Sequence, residues 1–181
     1  MRHRESRRCQ KLSVKNALMV PLCTALILVF LNGCRSGGNH GELISTSLSM
    51  SAYSEARERA NPNGQASMYY FPSLEIFNDA GVLVYRSHES IANAQVLKEF
   101  PGSIRSLPPL EDAPLLAKIL EQIPDFKPRE QEIVGKKLVI LSVALENCGA
   151  CAVQERAVGN LKERLLQQES VAILEIEVAH P

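Results

Sequence analysis

The sequence predicts an α/β fold, and three stretches of its second half carry that reading. Residues 136–145, "KKLVILSVAL", are almost continuously apolar and rich in Val, Ile and Leu, as in a strand covered on both faces. Residues 152–168, "AVQERAVGNLKERLLQQ", put Val153, Ala157, Leu161 and Leu165 on one stripe and Glu155, Lys162 and Glu163 elsewhere, the pattern of a helix. Residues 171–178, "VAILEIEV", alternate: Ala172, Leu174, Ile176 and Val178 share one face, while Glu175 and Glu177 point to the other. Strand, helix, strand with a helical crossover is a βαβ unit, so the two strands run parallel.

The upstream elements follow in chain order. Residues 1–33 open with Arg2, Arg4, Arg7, Arg8, Lys11 and Lys15 against Glu5 alone, then run into "ALMVPLCTALILVFL" at 17–31. That apolar run is shorter than the roughly 20 residues a spanning helix needs. A basic start and an apolar run of this length read as a secretory signal. Residues 34–66 are polar and rich in Gly, Ser and Asn, with no sustained period beyond a weak helical turn around "AYSEARERA". They read as a flexible tether. A domain at 67–181 follows.

Within it, residues 67–87 hold two β-favouring runs around "NDAG", a hairpin whose Gly81 suits a positive φ. In "HESIANAQVLKEF", Ser90 suits an N-cap and Ile91, Ala94 and Leu97 share one side; Pro101 and Gly102 stop this helix, so the hairpin-helix half spans 67–100. An extended connection leads to a helix at 111–123, with Pro114 in its first turn and Leu116, Ile119, Leu120 and Ile123 as its apolar stripe. Pro124 and Pro128 close it. The strand-helix-strand half then spans 136–178.

Charge narrows the function classes. The chain has 20 basic and 20 acidic residues, but 14 and 19 of these remain from Cys34 onward. That acidic balance gives no footing for nucleic acid, which is held by clustered Lys and Arg. No Ser-His-Asp constellation, phosphate loop or nucleotide fingerprint is visible, and no organic cofactor is implied.

The stretch "LNGC" at 31–34 resembles the lipobox of bacterial lipoproteins. The resemblance implies cleavage before Cys34, lipid on its sulfur and amine, and a chain anchored in the cell envelope facing the periplasm. Arg35, where an Asp would favour the inner membrane, favours the outer. Of the five cysteines, Cys9 and Cys23 would leave with the signal and Cys34 would carry lipid. Cys148 and Cys151 remain as thiols in a compartment that permits disulfides.

That pair lies in "LENCGACAVQ", between the apolar strand and the helix. Cys148 is expected at or just before the first helical residue, where free N–H groups and the helix dipole favour a thiolate. Cys151 is expected one turn in and better shielded, placed to resolve a mixed disulfide. A CxxC that follows a strand and opens a helix resembles the thioredoxin-like superfamily, over residues 136–178. The resemblance implies that Cys148 is the nucleophile and Cys151 the resolving thiol, acting on exported proteins with thiols or disulfides. Glu146 and Asn147 stand where thioredoxins often carry Trp. An acidic neighbour opposes thiolate formation, so a moderate nucleophile and a relatively reducing couple are expected.

In that family two antiparallel strands and a helix follow the βαβ unit, and a cis-proline faces the cysteines. Here the matching pieces precede it, "FPSLEIFNDAGVLVYRS" with the helix after it. Two topologies are open. Either the fold is circularly permuted and Pro72 is the cis-proline beside Cys148, or the hairpin is an N-terminal extension and Pro72 is an ordinary residue at the start of a strand. Tyr69, Tyr70 and Phe71 read as core or rim.

Three other uses of the CxxC stand beside redox exchange. Structural zinc needs about four ligands; beyond the two cysteines the mature chain offers only His40, His88 and His180, in no paired motif. Copper(I) suits soft thiolates at this spacing, with His180 as a further ligand, although no Met-rich or His-rich tract exists. A permanent 148–151 bridge would close too small a loop to stabilise much. A degenerate thioredoxin fold can also serve as a non-catalytic binding or scaffold module.

Overall fold

A computed structural model describes residues 41–62, 69–102, 104, 107–165 and 170–180. The signal segment at 1–33 and the lipidation candidate Cys34 lie outside them.

The front of the described chain departs most from the sequence expectation. Much of the stretch read as a tether is structured: strand β1 spans Glu42–Ser49 and helix α1 spans Met50–Ala60. In β1 only Ile44 and Thr46 are buried, so its composition stays polar and its period faint. Ser49 caps α1, its Oγ accepting from the Ala52 N–H at 3.2 Å. The buried face of α1 is Tyr53, Ala56 and Ala60, a stripe of mostly small residues that carries little hydrophobic signal.

The hairpin forms as expected from β2 (Ser73–Asn78) and β3 (Leu83–Ser87). Gly81 has φ +69°, and the Asn78 side-chain Oδ1 accepts from the Ala80 and Val82 N–H groups, both at 3.0 Å. Helix α2 covers Ser90–Glu99, one residue earlier than an N-cap at Ser90 allows; Glu89 occupies the cap position. Its buried residues are Asn93 and Leu97, while Ile91 is exposed. The helix expected at 111–123 is shorter: α3 spans Leu116–Gln122, and Pro114 precedes it. Pro128 lies in a 3-10 turn, Lys127–Arg129, that leads into α4, Glu130–Val134. Strand β4 (Leu138–Leu145), helix α5 (Ala152–Leu165) and strand β5 (Val171–Ala179) complete the fold.

The five strands form one sheet in the order β1-β5-β4-β2-β3. β1, β5 and β4 run parallel; β2 pairs antiparallel with β4 and with β3. This is a mixed α/β fold, one five-stranded sheet flanked by helices. The antiparallel hairpin and α2 come before the CxxC half in the chain, after β1 and α1, and join the sheet beside β4.

The core has two layers because β4 is covered on both faces. Val139, Leu141 and Val143 face α1 and α3, meeting Tyr53, Leu116, Ile119 and Leu120. Leu138 and Ile140 face α2 and α5, meeting Leu97, Val158 and Leu161. The even positions of β5 lie in the first layer, as their alternation predicts. The stripe of α5 is rotated from expectation: Gln154, Val158, Leu161 and Leu165 are buried, whereas Val153 and Ala157 are only half-buried.

One charged group sits inside the first layer. Glu75, on β2, accepts two hydrogen bonds from Arg57 of α1, at 2.9 and 2.6 Å, and one from Arg86 of β3 at 2.9 Å. Burial alone would push its carboxyl up, but the two guanidiniums hold it below the usual carboxylate range. Burial pushes the nearby Tyr53 hydroxyl up to about 12, which keeps it neutral.

Candidate functional site

The site is built where β4 ends. After Leu145 the chain must turn back to start a helix packed on the sheet, and Asn147 makes that turn in the left-handed region, with φ 57°. Asn tolerates this conformation better than most residues. The Cys148 N–H bonds the Leu145 carbonyl at 3.1 Å, and the Cys151 N–H bonds the Cys148 carbonyl at 3.0 Å. The Cys151 carbonyl in turn accepts from the Glu155 N–H at 3.0 Å, the first bond of α5.

Cys148 and Cys151 are joined as a disulfide, their Cα atoms 5.2 Å apart. Their placement on the helix differs from expectation by one turn. Cys151, not Cys148, immediately precedes the first helical residue, and Cys148 lies in the turn before it. The electrostatic link survives the shift, because the Cys148 Sγ accepts the Cys151 N–H at 3.1 Å. That N–H is shared between the Cys148 Sγ and the Cys148 carbonyl. Cys151 has 0% exposure, whereas Cys148 is half-buried and Gly149 and Ala150 are exposed. Glu146 is exposed beside the turn.

Pro72 lies at the same end of the sheet. The Phe71–Pro72 peptide is cis and Pro72 is buried. Ser73, the next residue, pairs with Val143 of β4, two positions before that strand ends. The polar group that ties these parts together, Gln154, stood unremarked in the sequence. It is wholly buried and satisfied at both ends. Its Nε2 donates to the Ser73 carbonyl and to Ser142 Oγ, both at 3.0 Å, and its Oε1 accepts from Asn93 Nδ2 at 2.6 Å. One amide in the first turn of α5 therefore grips β2, β4 and α2. Asn93 Oδ1 accepts from the Tyr85 hydroxyl at 3.1 Å, extending the network to β3. The signal available in sequence was a polar residue at the helical spacing of Val158, Leu161 and Leu165.

Helix α2 also touches the disulfide turn directly, through a hydrogen bond from Ser90 Oγ to the Ala150 carbonyl. On the other flank of α5 an open cleft of about 400 Å³ is lined by Ser142, Ala144, Glu155, Glu175 and Glu177 among others. Lys162 neutralises Glu175 at 2.7 Å. The Tyr residues divide as core and rim: Tyr69 packs edge-on against the buried Tyr53, and Tyr70 is exposed. His88 Nδ1 lies 3.1 Å from the Tyr70 carbonyl, and His180 follows the last strand. Among the described residues, no group of three or more His, Cys, Asp or Glu stands close enough to hold a metal ion. His40 lies outside those residues.

An α/β fold carrying a disulfide between CxxC cysteines, one residue half-buried and one sealed, is chemically suited to reversible thiol exchange. Compared with protein-family models, with curated proteins and with solved structures, the chain matches none.

Proposed function

We propose that this chain is a thiol-disulfide oxidoreductase of the bacterial cell envelope, anchored by lipid on Cys34 and facing the periplasm, with the outer membrane favoured. The observation that carries the redox reading is the asymmetry of the Cys148–Cys151 bond at the opening of α5. In the reduced form, the Cys148 thiolate attacks a substrate disulfide. The substrate S–S bond breaks, one substrate sulfur leaves and takes a proton, and a mixed disulfide forms. Cys151, deprotonated, then attacks Cys148 Sγ and releases the second substrate sulfur, which is protonated in turn. The protein gives up two electrons and two protons and returns to the disulfide; another protein's dithiol must reduce it again.

Several features support the roles. The Cys151 N–H that meets Cys148 Sγ would stabilise a thiolate there. The sealed position of Cys151 protects the resolving sulfur from outside attack. Residues 35–41 alone separate Cys34 from β1, so the lipid anchor would hold the folded domain within about 25 Å of the membrane surface.

The test is trapping in the cell envelope. Cys151→Ala should leave the mixed disulfide stranded and yield covalent adducts with exported proteins, visible on non-reducing gels. Cys148→Ser, alone or combined with it, should yield none. Adducts that persist without Cys148, or no adducts at all, would remove the redox reading and leave a binding module.

A further inference from the structure

Helices α2 and α5 pack side by side on one face of the sheet, with a groove of about 600 Å³ between them. The half-buried Ala94, Val153 and Ala157 line it together with three exposed cations, Lys98, Arg156 and Arg164. Among the described residues no carboxylate lines the groove, and none of the three cations forms an ion pair. Elsewhere Arg57, Arg59, Arg86, Lys118, Arg129 and Lys162 each meet a Glu. With 14 basic and 19 acidic residues from Cys34 onward, the groove reverses the sign of the chain around it. Arg164 donates to the Lys98 and Leu97 carbonyls at 3.1 and 2.6 Å, and Arg156 Nε to the Ala152 carbonyl at 3.2 Å. These bonds hold the two guanidiniums without neutralising them.

Two further observations say what covers this face. Ile91 is 80% exposed and precedes Ala94 and Lys98 at the spacing of one side of α2. An exposed aliphatic residue in line with cations is the composition of a surface that lies in a bilayer interface. The groove also leads to where the chain arrives from Cys34. β4 ends at the cysteine turn and α5 carries the chain back, so Arg164 stands at the end of the sheet where β1 begins. Gly41 and Leu43 line a small pocket there together with Leu165.

We infer that the α2–α5 face is a membrane contact: Lys98, Arg156 and Arg164 bind the phosphates of an anionic phospholipid surface, and Ile91 enters the headgroup layer. This rests on the lipid-anchor reading above and specifies which face of the anchored domain meets the membrane. The anchor supplies proximity, and the groove supplies orientation. Each cation held near such a surface is worth about fivefold in binding, and salt screens it.

Vesicle sedimentation tests this on the mature chain, residues 34–181, with Cys34→Ser so that no lipid contributes. The chain should bind phosphatidylcholine vesicles containing about one-third phosphatidylglycerol, and not pure phosphatidylcholine, with affinity falling as salt rises. Lys98→Gln with Arg156→Gln should weaken that binding about 25-fold, and Ile91→Ser severalfold. Arg164 is left in place because it bonds the end of α2. Arg59→Gln with Lys118→Gln removes two exposed cations from the helices on the other face of the sheet and should change binding by no more than about twofold. No binding to the anionic vesicles, or equal losses in the two double variants, overturns the inference. So does competition by inorganic phosphate at equal ionic strength, which assigns the groove to a free anion, or tighter binding of polyglutamate, which assigns it to an acidic polypeptide. The mass of the chain recovered from the envelope tests the other reading: lipid missing from Cys34 overturns the anchor, whereas the vesicle result alone decides the groove.

Discussion

Gln154 shows what a single buried amide does in this molecule. Polar side chains taken from water need hydrogen-bond partners, and this one has three, on β2, β4 and α2. Gln154→Leu keeps the volume but takes the Gln154 partner from the Ser73 carbonyl and from one N–H of the Asn93 amide, whose Nδ2 keeps its 3.4 Å bond to the Ser87 carbonyl. A loss of about 1–3 kcal/mol follows for each group left unsatisfied, measurable as a lowered denaturant midpoint. The same residue marks the limit of reading the helix from sequence. Apolar spacing alone selects Val153 and Ala157, whereas the buried stripe runs through Gln154 and Val158. The network partners on distant elements decided the rotation, and no local pattern contains them. Cys148 and Cys151, in contrast, were legible as a pair from their spacing, because three residues is the reach of one helical turn.

At the scale of elements, α1 is fastened to the sheet by charge as well as by Tyr53. Glu75 accepts from two arginines in a layer otherwise apolar, and removing one partner from such a cluster leaves buried charge uncompensated. Glu75→Gln should cost about 3–5 kcal/mol, read from thermal or urea unfolding. The pH dependence has a definite sign. Glu75 is depressed in the folded state, so its contribution is full above the ordinary carboxylate value of 4.5 and is lost as pH falls through the lower folded value. The melting temperature of the wild type should drop on acidification below about pH 4.5, and Glu75→Gln should flatten that drop. A variant with an unchanged acid limb would assign the drop to other carboxylates. The elements that escaped the sequence, β1 and α1, share a physical cause. An edge strand needs only alternate apolar positions on one face, and a helix lying on a sheet through Ala56 and Ala60 needs little bulk. The central strand β4, buried on both faces, announces itself for the opposite reason.

The whole molecule is held by its two-layer core, and the disulfide lies at its margin. Closing a four-residue loop restricts the unfolded chain little, by about 2 kcal/mol at most on chain-entropy grounds. Oxidised and reduced forms should therefore both unfold cooperatively in calorimetry, with midpoints only a few degrees apart. Collapse of the reduced form would make the bond a staple instead of an exchangeable couple. The sequence by itself determined the α/β class, the parallel pair β4 and β5, the hairpin turning at Gly81, and the cysteine pair between strand and helix. Each rests on neighbours within one element, where apolar period, turn chemistry and spacing act locally. Only the tertiary structure decided that residues 42–60 belong to the sheet and α-layer, that the hairpin lies antiparallel beside β4, and that Gln154 joins it to the CxxC helix. Those facts depend on which distant segments share buried surface and hydrogen bonds, and that choice is made by the packed chain as a whole.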